Sequence, residues 1–203
     1  NLITVTEDEY EEKLEEYGSR VQLFPGVDTW FERIQEYGKT RGVIVEHYII
    51  SSGNREILKG TKIADKFKKI FACSYVYDEN GIAVWPNMII NYTSKTQYLF
   101  RISKGTLDIL DDETINKKIG EKHVEFSNMI YIGDGITDIP CMTLIKERSG
   151  LSIAVYKSGK SEVADELVGD RRVEASVTAD YRENSKLDRL VKAKIDLVAW
   201  SNY

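Results

Sequence analysis

Tyr131-Ile132-Gly133-Asp134-Gly135-Ile136-Thr137-Asp138 runs from an apolar, β-prone stretch into a glycine-flanked aspartate, with a second aspartate four residues on. Residues 129–132 predict a strand and 140–147 a helix, so the octapeptide is a strand-to-helix turn. The alternation continues outward with a strand at 152–156, a helix at 161–167, a strand at 175–179 and a long helix from 185 to about 198. Strands separated by helices require crossover connections, which lay the strands parallel under helical cover. The spacing therefore predicts an α/β chain: a Rossmann-like, mostly parallel sheet with helices on both faces.

Upstream the pattern changes. Thr6-Glu7-Asp8-Glu9 fits a capping box, and Tyr10, Leu14 and Tyr17 recur at helical spacing before Gly18, predicting a short acidic helix. Trp30, Phe31 and Ile34 form one apolar face of a second helix, which ends near Gly38. Residues 43–50 predict a buried strand and 56–67 a helix. Residues 70–77, the turn Asp78-Glu79-Asn80-Gly81 and residues 82–85 predict a hairpin. Thr93-Ser94 can cap a helix through about Ser103, and one short helix is expected before Asn128. The expected organisation is a remnant of a helical cap or a linker over 1–22, a core domain over 23–203 and a hairpin excursion near 71–90.

The 203 residues are 42% hydrophobic and 30% charged, a balance that suits a globular protein and argues against disorder. A net charge of -5 gives no electrostatic reason to expect nucleic acid or an anionic membrane as partner. No apolar run approaches the roughly 20 residues that span a bilayer. Cys73 and Cys141 have no metal-ligand spacing, and a reduced, cytoplasmic protein is expected. The first residue is Asn1 rather than Met, and the sequence is expected to begin inside a longer gene product.

Ligands of open α/β sheets bind beyond the carboxyl ends of the strands, and three candidate stretches fall there. Asp134 and Asp138 offer hard oxygen ligands suited to Mg²⁺, although Asp138 could equally cap the following helix. Ser51, Ser52 and Gly53 would offer a hydroxyl and successive amides at a helix start, which makes either an anion pocket or an ordinary cap. Lys95 also stands at a helix start, where a cation opposes the helix dipole and calls for a compensating phosphate or carboxylate. His47 and His123 suggest nothing catalytic.

Taken in order, Ser51, Lys95 and the Gly-Asp-Gly loop with Asp134 and Asp138 resemble motifs two, three and four of the haloacid dehalogenase superfamily. Phe24-Pro25-Gly26-Val27 resembles the segment before motif two in its phosphoserine-phosphatase-like members. The resemblance implies a Mg²⁺-dependent hydrolase acting on a small phosphomonoester through an aspartyl-phosphate. By that resemblance Ser51, Ser52, Gly53 and Lys95 bind phosphate, and Lys95 and Asp138 are catalytic. Asp134 would ligate Mg²⁺, and Asp138 would support the metal or orient Lys95.

The sequence departs from the family at its first motif. No two aspartates stand two apart anywhere in the chain, so the nucleophile and the general acid/base of D-x-D-x-[TV] have no counterpart. In the family's strand order that motif's strand lies between the strands bearing Ser51 and Asp134, and its loss would open a slot of about 10 Å. The expectation is a hydrolase completed by an upstream segment. A phosphate-binding or regulatory protein without the chemistry is the alternative. A receiver-type phosphoacceptor fits less well, because its acidic pair would stand near the start and it would lack the hairpin.

Overall fold

The structure is a computed structural model that describes residues 11–116 and 122–201. In chain order its helices and strands are α1 (Glu11–Ser19), α2 (Val27–Thr40), β1 (Tyr48–Asn54), α3 (Arg55–Lys59), β2 (Lys69–Tyr77), β3 (Ala83–Met88), α4 (Lys95–Lys104), α5 (Asp112–Asn116), β4 (Ile130–Gly133), α6 (Ile139–Glu147), β5 (Leu151–Tyr156), α7 (Glu162–Gly169), β6 (Ala175–Thr178) and α8 (Lys186–Ser201). The chain divides into two compact units, Asn1–Leu23 with Glu46–Asn91 and Phe24–Val45 with Tyr92–Tyr203. Among the described residues no helix is long and apolar enough to cross a membrane.

The first unit holds a three-stranded sheet in the order β1-β2-β3. β1 and β2 are parallel, with Ile50 opposite Phe71, and β2 and β3 are antiparallel. The hairpin turn forms where the sequence places it. Asp78 Oδ1 accepts from the amides of Asn80 and Ile82, both at 2.9 Å, and Gly81 supplies the positive φ of the turn. Helix α1 crosses α3 at two glycines. A Cβ on Gly18 would stand 2.0 Å from Ile57 O, and one on Gly60 1.9 Å from Glu15 O, so the two backbones meet directly. The expected capping box at residues 6–9, and Tyr10, lie outside the described residues. Leu14 is buried in α1 as its spacing predicts, but Tyr17 is exposed.

The second unit is the regular one. Its sheet, in the order β4-β5-β6, is wholly parallel, and α6, α7 and α8 each follow a strand in turn. Ser152, Ile153, Ala154 and Val155 are buried in succession, so β5 is covered on both faces. Met142 of α6 and Ala164 and Leu167 of α7 pack with Ala154. α2 buries Trp30, Phe31 and Ile34, and α8 buries Leu187, Val191 and Ile195. Arg33 of α2 and Asp188 of α8 form an ion pair at 2.7 Å. Within α4, the buried Arg101 donates to the carbonyls of Asp108 (2.7 Å) and Ile109 (3.1 Å) in the loop that follows, and Ser103 Oγ donates to Val124 O.

Two expected elements are corrected. The strand expected at 43–50 begins only at Tyr48. The Val43 amide instead donates to Gly38 O, closing the end of α2, and Ile44 is 89% exposed. The apolar run there carries the chain from one unit into the other. The helix expected at 56–67 ends at Lys59, because Gly60 is pressed against α1, and a 3-10 turn at Ala64–Lys66 leads on to β2. Among the described residues the strands form two sheets. β1 and β4 each stand last in their sheet, with one edge that pairs with no strand among the described residues.

Candidate functional site

β4 ends at Gly133, and the chain enters α6 through a 3-10 turn at Ile136–Asp138. The turn folds back tightly enough that a Cβ on Gly133 would lie 2.7 Å from Asp138 Oδ2. Only glycine leaves room there for the carboxylate. Asp138 occupies the N-cap position of α6 but makes no side-chain capping bond. Its Oδ1 accepts instead from Lys95 Nζ at 2.7 Å and from the Tyr131 hydroxyl at 2.7 Å. Lys95 Nζ also reaches Thr137 Oγ1 at 3.3 Å.

Lys95 and Asp138 are both buried, with 4% and 7% of their surface exposed. The charge that opposes the dipole at the start of α4 is therefore compensated by a carboxylate from the β4–α6 turn. Burial, and then the charge of Asp138, raises the pKa of Tyr131 far above its ordinary value, so its hydroxyl remains a donor. Burial also pushes the neighbouring Cys141 thiol up to about 11, which favours its protonated form. Sequence reasoning placed Tyr131 in the strand and missed this role. The available signal was a hydroxyl-bearing ring in an otherwise aliphatic strand two residues before the glycine.

Asp134, at the tip of β4, is exposed. It lines a cavity of about 280 Å³ together with Gly135, Ile136 and residues that follow β5 and β6. Burial, and then the charge of Asp134, pushes the Tyr181 phenol up to about 12. The two aspartates thus differ in kind: Asp138 is held in a buried pair, and Asp134 faces solvent. Among the described residues no three His, Cys, Asp or Glu side chains cluster as a metal site. Mg²⁺ commonly keeps several waters and takes only one or two protein carboxylates. The exposed Asp134 fits as one such ligand, whereas Asp138 Oδ1 is already engaged by Lys95.

Ser51, Ser52 and Gly53 belong to the first unit and lie within β1. The expectation that they open a helix is corrected. Asn54 is the N-cap of α3, with Oδ1 accepting from the amides of Glu56 (2.9 Å) and Ile57 (3.1 Å). The Gly53 amide donates to Ser51 Oγ at 2.9 Å, a local turn in which the hydroxyl serves its own backbone. Of the residues singled out by sequence, the structure joins Lys95 to Asp138 and sets Asp134 in the same loop. The three β1 residues stand in the other unit.

No protein-family model matches the chain. An uncharacterized protein of Borreliella burgdorferi is 26% identical over 200 residues, covering 89% of this chain and 69% of that protein. Two crystal structures share the fold. A HAD family hydrolase from Salmonella enterica serovar Typhi matches 90% of this chain with a TM-score of 0.59 at 18% identity. A probable phosphoserine phosphatase from Vibrio cholerae matches 96% with a TM-score of 0.60 at 14% identity. The chain spans 50% and 49% of those proteins' lengths. The chain thus shares the Rossmann-like α/β fold of these two proteins.

Proposed function

We propose that the chain is the greater part of a haloacid dehalogenase-type phosphohydrolase that acts on a small phosphomonoester and is completed by a segment outside this sequence. The observation that carries this reading is the buried Lys95–Asp138 pair, supported by Tyr131, beside the exposed Asp134 at the carboxyl end of a parallel strand. A fixed ammonium at that end of the sheet is preorganised to stabilise charge on a transferring phosphoryl group, because it need not reorient as the charge develops. By the resemblance of their sequence, Ser51, Ser52 and Gly53 would bind phosphate. Asp134 would give one ligand to Mg²⁺, with water and substrate oxygens among the others. The core would extend over 23–203, with 1–22 as part of a cap or linker. The edge of β4 that pairs with no strand among the described residues would accept an added parallel strand carrying a D-x-D nucleophile.

A second reading is a phosphate-binding protein without the chemistry. The absence of any D-x-D in the sequence, and of an acidic metal cluster among the described residues, favours it. Hydrolysis of p-nitrophenyl phosphate with Mg²⁺ separates the two. The 203-residue chain is expected to be inactive, whereas a longer protein with an upstream D-x-D turns over and loses turnover on Asp134→Asn or on changing its first upstream aspartate to Asn. An inactive longer protein whose phosphate affinity still depends on Lys95 would select the second reading.

A further inference from the structure

We propose that the cavity at the carboxyl ends of the second unit's sheet binds a small organic anion, with Lys157 and Lys160 holding its carboxylate or phosphate and an apolar wall holding its body. On the phosphohydrolase reading, which this inference rests on for its biological sense, that anion is the non-reacting end of the substrate. At about 280 Å³ the cavity falls at the lower end of small-molecule sites. Its lining gathers Asp134 from the tip of β4, Ala154 and Val155 from β5, and Leu167 from α7. This is the side of an open parallel sheet on which ligands bind.

The two lysines distinguish it from an ordinary surface dimple. The chain turns back on itself between them, with the Lys160 amide donating to Lys157 O at 3.0 Å and Gly159 at a φ of 81°. That turn places both lysines in the lining of one cavity. Neither has an ion-pair or side-chain hydrogen-bond partner among the described residues. By contrast Lys146, Lys192 and Lys194 of the same unit are engaged by Val173 O, Asp188 and Ser149 O. In a protein of net charge -5, two cations left without carboxylates beside an apolar wall are complementary to an anion with an apolar body. Asp134 in the same lining repels a second negative charge, which directs the anionic end of the ligand to the lysines.

The test is binding of phenyl phosphate, phenylacetate and neutral benzyl alcohol to the 203-residue chain, without Mg²⁺ and at low ionic strength, followed by NMR amide shifts. Both anions are expected to shift Ala154, Ala164 and Ala179. Lys157→Ala/Lys160→Ala should weaken them about tenfold, the combined worth of two exposed ion pairs, while Lys157→Arg/Lys160→Arg retains them. Benzyl alcohol should bind equally weakly to all three proteins. Loss confined to one anion identifies the headgroup and still supports the site. Equal affinity of both anions for the wild type and the alanine double variant, or shifts that map elsewhere, would overturn it. Turnover is not read in this experiment, so its failure leaves the phosphohydrolase reading standing. Failure of turnover in the longer protein would leave the anion site standing.

Discussion

Asp188 in the second unit and Glu56 in the first are both fully buried, yet their oxygens fare differently. Asp188 Oδ1 accepts from Arg33 at 2.7 Å, and Oδ2 accepts from the Asn184 amide at 2.9 Å and from Lys192 at 3.0 Å. Glu56 Oε1 accepts from its sequence neighbour Arg55, while its Oε2 and the nearby Tyr77 hydroxyl have no hydrogen-bond partner among the described residues. Burial first, and then the charge of Glu56, raises the pKa of Tyr77. A carboxylate held by a residue 155 positions away fixes how two helices meet. One held by its neighbour fixes only its own turn. The second unit therefore uses buried charge as tertiary structure, and the first relies on backbone contact and turn chemistry.

The sharpest test of this contrast is Lys95→Met, which leaves Asp138 buried with Tyr131 as its remaining partner. It should cost about 4 kcal/mol, and Lys95→Met/Asp138→Leu should recover much of that, as read by urea denaturation. Asp188→Asn should cost about 3 kcal/mol, because it leaves Arg33 and Lys192 without their charge.

It should also remove an acid sensitivity. Burial alone would raise the Asp188 carboxyl, but Arg33, the Asn184 amide and Lys192 together hold it below the usual carboxylate range. A carboxyl lowered in the folded state contributes stability that is present above its unfolded value of about 4 and is lost as pH falls through its folded value. The wild type should therefore lose more stability below about pH 4 than Asp188→Asn does, and coincident curves would sink the assignment. In the first unit, Gly18→Ala must push α1 off α3 and should cost about 2 kcal/mol by thermal melting. The smallest effect belongs to Glu56→Gln, expected within about 1 kcal/mol of wild type because one of its oxygens is already unpaired. A loss there as large as for Asp188→Asn would erase the contrast.

The same contrast explains what the sequence discloses. From β4 to α8 every element falls within a few residues of its expected place, because strands covered by helices and helices with one apolar face write their periods into the chain. The hairpin was equally legible from Asp78-Glu79-Asn80-Gly81. The stretch 43–67 was misread because its apolar and helix-prone residues serve as a crossing segment and as a helix cut short by Gly60. Neither use leaves a period. At the site, Asp134, Asp138 and Lys95 were found through motif order, but the contact between Lys95 and Asp138 joins positions 43 apart, and no spacing rule reports it. Tyr131 was overlooked for the same reason.

Arg101 gives the loop after α4 a property of its own. The guanidinium grips carbonyls of Asp108 and Ile109, groups that every amino acid supplies, and the neighbouring Leu110 is left 84% exposed. The instructions for the loop's shape are thus written in the helix before it. Side chains at the tip are free to diverge while the path of the chain stays the same, so this loop can acquire new surface chemistry without refolding, provided that the arginine is kept.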